Sequence, residues 1–249
     1  QNGEAERVTV YALNKKNIRL LGYHCHIGSQ IFEKQSFVLA AEKCMDFAAE
    51  MRKKHAFILK TLNLGGGFGV WYTDEDKKLA PEEYSEYIEA LIGAVEEKAK
   101  TYNMDLPYLL LEPGRSIIAE AGITLYTVGA IKEIPNVKKY VAIDGGMFEN
   151  PRYALYQSKY TPVLANRANE KPTEIVSIAV DVSLPKAQTG DILAVLSTGA
   201  YNYSMAMNYN RNKIPPCVLV KDGEAEYIVR PQTYEDLVRN DVIPERLEK

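Results

Sequence analysis

The chain has 249 residues, 46% of them hydrophobic and 25% charged, an ordinary composition for a globular protein of one or two domains. Lys plus Arg is 30 against 33 for Asp plus Glu, a formal net charge of -3, so the basic surplus of a nucleic-acid binder is missing. No apolar run approaches the ~20 residues of a bilayer span, no basic-then-apolar leader pattern opens the chain, and Cys25, Cys44 and Cys217 have neither zinc-site spacing nor the makings of a disulfide framework, which points to a reducing cytoplasm.

Residues 1–16 read as the end of a helix. Residues 19–27 read as a strand that ends in His24-Cys25-His26-Ile27-Gly28-Ser29. Phe37, Ala40, Ala41, Cys44, Ala48 and Met51 follow at helical spacing, with Cys44 on the apolar face. Residues 58–64 form a second expected strand, running into Gly65-Gly66-Gly67-Phe68-Gly69. Pro81 opens a second helix, with Tyr84, Tyr87, Ile88, Leu91, Val95 and Tyr102 along one face. Residues 108–111 are a third, continuously apolar strand, stopped by Glu112-Pro113. Strand and helix alternating in this way predict parallel βαβ units. Beyond about Ser116 the texture changes. Strands are expected at 123–134, 139–143, 174–182, 192–196, 218–220 and 225–229, with a hairpin turn at Asp222-Gly223 and one helix at 233–239. The expected domains are therefore 1–115, α/β, and 116–249, mostly β.

Ligands of parallel α/β folds bind beyond the C-terminal ends of the strands. Here all three strands end in polar or glycine-rich residues. His24 and His26 share one face of their strand, with Cys25 on the other. They could be a metal pair, although the remaining histidine, His55, is near a helix end and no third ligand is evident. They could instead pack on an aromatic ligand, or be hydrogen-bonded structural residues. The glycines at 65–69 let backbone N–H groups approach an anion, but lack the Lys-Ser/Thr of a P-loop. Glu112-Pro113-Gly114-Arg115 places an acid and a base at one strand end, suited to a protonated ring nitrogen and to phosphate or carboxylate, or to each other. Asp144-Gly145-Gly146 is a turn after a strand. Arg152 and Tyr156, four apart, share a face if the chain is helical there, and could grip a carboxylate or simply cover a surface.

Taken in order, six stretches resemble the pyridoxal-phosphate-dependent decarboxylases of the alanine-racemase-like fold. They are His24-Cys25-His26-Ile27-Gly28-Ser29-Gln30, Gly65-Gly66-Gly67-Phe68-Gly69, Glu112-Pro113-Gly114-Arg115-Ser116, Asp144-Gly145-Gly146-Met147, Pro151-Arg152-Tyr153-Ala154-Leu155-Tyr156, and Thr198-Gly199-Ala200-Tyr201-Asn202-Tyr203-Ser204-Met205. The resemblance implies the C-terminal part of a (β/α)8 TIM-like barrel followed by an all-β, β-barrel domain, in a homodimer with shared active sites. It implies pyridoxal 5'-phosphate as cofactor and an amino acid as substrate, with no metal, nucleic acid or membrane involved. His26 would stack on the cofactor ring. Ser29, Gly67 and Arg115 would help hold its phosphate, Gly66 and Gly114 would also bind the cofactor, and Glu112 would pair with the pyridine nitrogen. Arg115, Arg152 and Tyr156 would bind the far end of the substrate, and Tyr201 would reach both. A bidentate guanidinium suits a second carboxylate, which favours diaminopimelate, decarboxylated to lysine and CO₂, over ornithine.

Two departures accompany the resemblance. The family lysine that carries the cofactor belongs to an earlier barrel strand, and Lys60 lies at the wrong end of its own strand to replace it. The family also has a Cys-Glu-Ser-Gly-Asp segment, source of the proton donor, where Ser177-Ile178-Ala179-Val180-Asp181 runs on as if about a dozen residues were absent. The expectation is most of the C-terminal portion of such an enzyme. The alternatives are a decarboxylase of another amino acid or a carboxylated polyamine, and a non-catalytic relative that binds a partner enzyme.

Overall fold

A computed structural model describes residues 3–247. Gln1 and Asn2 of the expected first helix, and the last two residues of the expected β region, lie outside the described residues. The chain divides into two compact units, one formed by the residues up to 71 and from 75 to 117, the other by 72–74 and the residues from 118 onward.

The first unit holds helix α1 (Glu4–Leu13), strand β1 (Gly22–His24), helix α2 (Lys34–His55), strand β2 (Thr61–Asn63), helix α3 (Pro81–Thr101) and strand β3 (Tyr108–Leu110), and leads into the short helix α4 (Arg115–Ile118). The strands pair in the order β1-β2-β3, all parallel, Tyr23 opposite Leu62 and Leu62 opposite Leu109. Each is shorter than its apolar run because the ladder ends where the chain leaves its neighbour. Backbone bonds from Cys25 to Asn63 and from Leu64 to Leu110 carry the pairing one residue further. Phe37, Met45, Met51, Leu62 and Leu91 form the centre of the core between the sheet and α2 and α3. Burying a side chain of this size stabilises the fold by about 1.5–3 kcal/mol. Phe37 stacks on Phe68 with ring centroids 4.7 Å apart, so the glycine-rich segment is packed directly onto α2. Pro81 does open α3, where the Glu83 carboxylate accepts the Ala80 N–H at 2.9 Å. Ile88 and Tyr102, expected on its apolar face, are exposed, and Ala94 and Ala99 are buried instead. Strand β3 is apolar yet not covered on both faces, and Tyr108 is 79% exposed.

The second unit contains strands β4 (Thr124–Ile134) and β5 (Lys138–Ile143), helix α5 (Arg152–Tyr156), strands β6 (Pro162–Leu164), β7 (Glu174–Ser177), β8 (Asp181–Leu184) and β9 (Ile192–Val195), helix α6 (Asn202–Met205), strands β10 (Cys217–Lys221) and β11 (Glu224–Val229), and helix α7 (Tyr234–Val238). Six strands form one sheet in the order β6-β9-β4-β5-β7-β8, and β6 approaches β8, so the sheet is nearly closed. Tyr126, Val128, Val141, Leu164, Val176, Leu184 and Leu193 fill it. The unit is β-rich but not all-β, because α5, α6 and α7 interrupt it. The single strand expected over 174–182 is a hairpin. Ser177 pairs with Asp181 across a three-residue turn at 178–180, closed by a bond from the Ile178 N–H to the Val180 carbonyl. An alternating pattern has the same period on both arms of a hairpin, so only the turn reveals the reversal. Strand β6 escapes the sequence reading because it is three residues long and opens on a proline. The Asp222-Gly223 hairpin forms as expected, both residues at positive φ (52° and 84°), which suits a tight turn between β10 and β11. Thr233 caps α7 by accepting the Asp236 N–H at 3.2 Å while Asp236 accepts the Thr233 N–H at 2.8 Å. Among the described residues no helix is long and apolar enough to cross a membrane.

Candidate active site

Because β1, β2 and β3 are parallel, their C-terminal ends lie at one edge of the sheet, and the segments that leave them converge. Glu112, two residues beyond β3, donates its N–H to the Gly65 carbonyl at 2.7 Å. Its carboxylate accepts the Asn63 side-chain amide at 2.7 Å, and His24 Nε2 lies 3.6 Å from the other oxygen. His24 thus faces an acid rather than a set of metal ligands, and no group of three or more His, Cys, Asp or Glu residues among the described ones could hold a metal ion. His26 takes a different place: its Nδ1 accepts the Gly66 N–H at 3.4 Å.

The glycine turn is required by close approach. Gly65 and Gly67 have φ of +67° and +104°. A Cβ on Gly67 would lie 2.1 Å from the Gly28 carbonyl oxygen, and one on Gly66 would lie 2.2 Å from that of Glu112. The three strand-end segments are therefore in backbone contact. Beside them Arg115 donates from Nη2 to the Ser29 hydroxyl at 3.0 Å. The first unit so brings together His26, Ser29, Gly66, Gly67, Glu112, Gly114 and Arg115. Lys60 precedes β2 at its opposite end, where its N–H bonds to the Leu21 carbonyl. No lysine occurs in residues 24–30, 63–70 or 111–116.

Behind this edge, Cys25 and Cys44 both pack against the core as free thiols. The neighbouring Cys44 thiol lowers the Cys25 thiol to about 7 against the opposing effect of burial, and Cys44 itself is raised. Cys44 is part of the packing, as its position on the apolar face of α2 suggests. His55 is paired with Glu6 at 2.9 Å, away from the strand ends.

The second unit gathers Arg152, Tyr156 and Tyr201. Helix α5 puts Arg152 and Tyr156 on one face, and the Arg152 guanidinium carbon lies 5.5 Å from the ring centroids of both Tyr156 and Tyr201. Tyr201 stands at the start of α6 with φ of +70°, a conformation a bulky residue rarely adopts. Arg152 is only 7% exposed. Its Nε donates to the Tyr160 hydroxyl at 2.7 Å, with weaker contacts from Nη2 to Ser158 Oγ at 3.5 Å and from Nη1 to Met205 Sδ at 3.8 Å. No carboxylate of the described residues pairs with it. A buried guanidinium without a carboxylate partner has the charge to hold an anion. Tyr160 and Ser158 also line a largely apolar cavity of about 260 Å³, bounded on another side by the Ile178, Ala179 and Val180 turn. The Asp144-Gly145-Gly146 turn is structural. Asp144 accepts the Thr127 N–H at 2.7 Å, and Glu149, buried, accepts from the Gly146 N–H at 2.6 Å and the Tyr126 hydroxyl at 2.8 Å. Burial raises the Glu149 carboxyl above its ordinary value.

Asn63, Tyr160 and Asn202 escape the sequence reading. Asn63 had a usable signal, since it ends a strand two residues before the glycine turn. Tyr160 had none, and Asn202 stood only within the 198–205 stretch without a role of its own, because the bonds from Arg152 to Tyr160 and from Tyr160 to Asn202 are made by tertiary packing.

Residues 1–119 match the family of pyridoxal-dependent decarboxylases, in its pyridoxal binding domain. The diaminopimelate decarboxylase of Bacillus subtilis (strain 168) is 50% identical over 252 residues, covering 97% of this chain and 57% of its own length. That of Synechocystis is 40% identical, covering 98% of this chain and 54% of its own. A crystal structure of the diaminopimelate decarboxylase from M. jannaschii in complex with L-lysine is similar with a TM-score of 0.87 at 36% identity, covering 98% of this chain and 57% of that one. The chain thus spans somewhat over half the length of the relatives it matches.

Proposed function

We propose that this chain, a homologue of the diaminopimelate decarboxylases, belongs to an enzyme that uses pyridoxal 5'-phosphate to decarboxylate meso-diaminopimelate to lysine and CO₂ in the cytoplasm. In this reading the first unit is the C-terminal part of a (β/α)8 barrel, the second is the β domain, and two copies share their active sites.

The residues at the strand ends fit the cofactor. A hydroxyl and a guanidinium converge at Ser29 and Arg115, beside a turn too tight for any side chain, which suits a phosphate. A carboxylate held by Asn63 suits a protonated ring nitrogen. That convergence at one sheet edge is the observation that carries the reading. Ser29, Gly67 and Arg115 would hold the phosphate, Gly66, Gly114 and His26 would bind the cofactor beside them, and Glu112 would keep the proton on the ring nitrogen. The bound cofactor supplies an electron sink for the pair left behind by departing CO₂. Arg152, with Tyr156 and Tyr201 on its faces, holds the second carboxylate of the substrate. An amine in that place would meet a buried positive charge, so lysine and ornithine bind less well than the diacid.

The test is CO₂ release by the full-length protein from meso-diaminopimelate against ornithine. Release from the first alone is expected, and release from neither refutes the reading. The three-residue turn between β7 and β8 favours a second reading, a non-catalytic homologue that retains the cofactor site. Retained cofactor binding with no CO₂ release would select it.

A further inference from the structure

The two tyrosine rings beside Arg152 set the plane of its guanidinium, and the bond from Nε to Tyr160 sets which edge of it is turned outward. Tyr160 is itself fixed. Its ring meets Tyr72 edge-on, centroids 5.1 Å apart at 88°, and its hydroxyl donates to Asn202 Oδ1 at 3.3 Å. A phenol has one proton. With that proton turned to Asn202, the oxygen lone pairs face the Arg152 N–H. Asn202 is 5% exposed, and its Nδ2 has no hydrogen-bond partner. A leucine, with the same number of side-chain heavy atoms and the same branching, would remove that unmet donor, so filling the space does not by itself call for an amide here.

We propose that Tyr160, oriented by Asn202, is a positioning residue that sets the outward edge of Arg152 and thereby the preference for a substrate with two carboxylates. The inference deepens the reading of Arg152 given above and rests on it. Neither residue needs to touch the substrate. They act through the guanidinium, whose Nη groups keep only weak contacts to Ser158 and Met205 and can exchange them for a carboxylate.

The test measures binding of meso-diaminopimelate and of L-lysine to the chain by calorimetry, alongside the Arg152 Nε–H signal of ¹⁵N-arginine-labelled protein, assigned by its loss in Arg152→Ala. Tyr160→Phe is expected to weaken diaminopimelate roughly tenfold while changing lysine by less than about twofold. The Nε–H signal should shift and exchange faster. Asn202→Leu should move both readouts the same way by less, and it carries the test if the tyrosine variant does not fold. Arg152→Ala is the independent check. If the wild type shows no preference for the diacid, or if Arg152→Ala keeps one, the reading of Arg152 fails and takes the proposal with it. If Arg152→Ala loses the preference while the folded Tyr160→Phe and Asn202→Leu proteins keep it, together with an unchanged Nε–H signal, the positioning role alone is overturned.

Discussion

Asn63 and Glu112 are joined across the ends of β2 and β3, the asparagine amide donating to the carboxylate at 2.7 Å. The bond aims an acid at the sheet edge where the glycine turn, Ser29 and Arg115 also meet. Glu112→Gln keeps the shape and removes the charge. It should weaken pyridoxal phosphate binding by about 10- to 100-fold, the value of a hydrogen bond to a charged group. Asn63→Leu keeps the charge and frees its direction, so a loss of only a few-fold, roughly, is expected. Titration of the cofactor absorbance measures both.

Gly67 tests the turn itself. Alanine there combines a strained φ of +104° with a Cβ 2.1 Å from the Gly28 carbonyl. Gly67→Ala should destabilise the protein by at least ~2 kcal/mol. Gly93, in the middle of α3 with open space where a Cβ would go, is the control of opposite sign. Gly93→Ala should stabilise by about 0.5–1 kcal/mol. Urea unfolding of the two variants checks both signs.

Glu149 predicts a pH dependence. Burial raises its carboxyl in the folded protein above the unfolded value of 4.5. The folded state then holds the proton more tightly, so this contribution to stability is complete below pH 4.5 and is lost as pH rises through the raised value. Glu149→Gln has no such titration. Its stability deficit relative to the wild type should be largest in acid and should shrink across that window, as read from thermal unfolding at a series of pH values. A constant deficit would contradict the raised carboxyl.

Cys25 should react with iodoacetamide along a pH profile that inflects at about 7, since the neighbouring Cys44 thiol favours its thiolate. Cys44→Ala removes that neighbour and leaves burial as the remaining effect. The inflection should then rise to the ordinary thiol range or above it. An unchanged profile would mean that the two thiols do not interact.

The first unit was largely readable in advance. Phe37, Ala41, Ala48 and Met51 repeat at helical spacing, and the apolar runs before Gly65 and Glu112 could hardly be anything but strands. Ile88 in α3 and Tyr102 just beyond it show the limit: both are correctly spaced, yet both are exposed while Ala94 and Ala99 lie inside. The second unit was harder. The β7–β8 hairpin was read as one strand because alternation survives a reversal, and β6 and α6 are too short to carry a period.

What the sequence determined by itself is chemistry at fixed spacing: a histidine pair, a run of glycines, an acid three residues before an arginine, an arginine four residues before a tyrosine. Those intervals place residues on one strand end or one helical turn, which local backbone geometry alone dictates. The tertiary structure decided which of these groups meet. That Glu112 is held by Asn63, that Arg115 reaches Ser29 from 86 positions away, and that Tyr160 and Asn202 stand behind Arg152 are long-range contacts. They exist because parallel strands bring their ends to one edge and because α5 packs beside α6, and no local pattern encodes either.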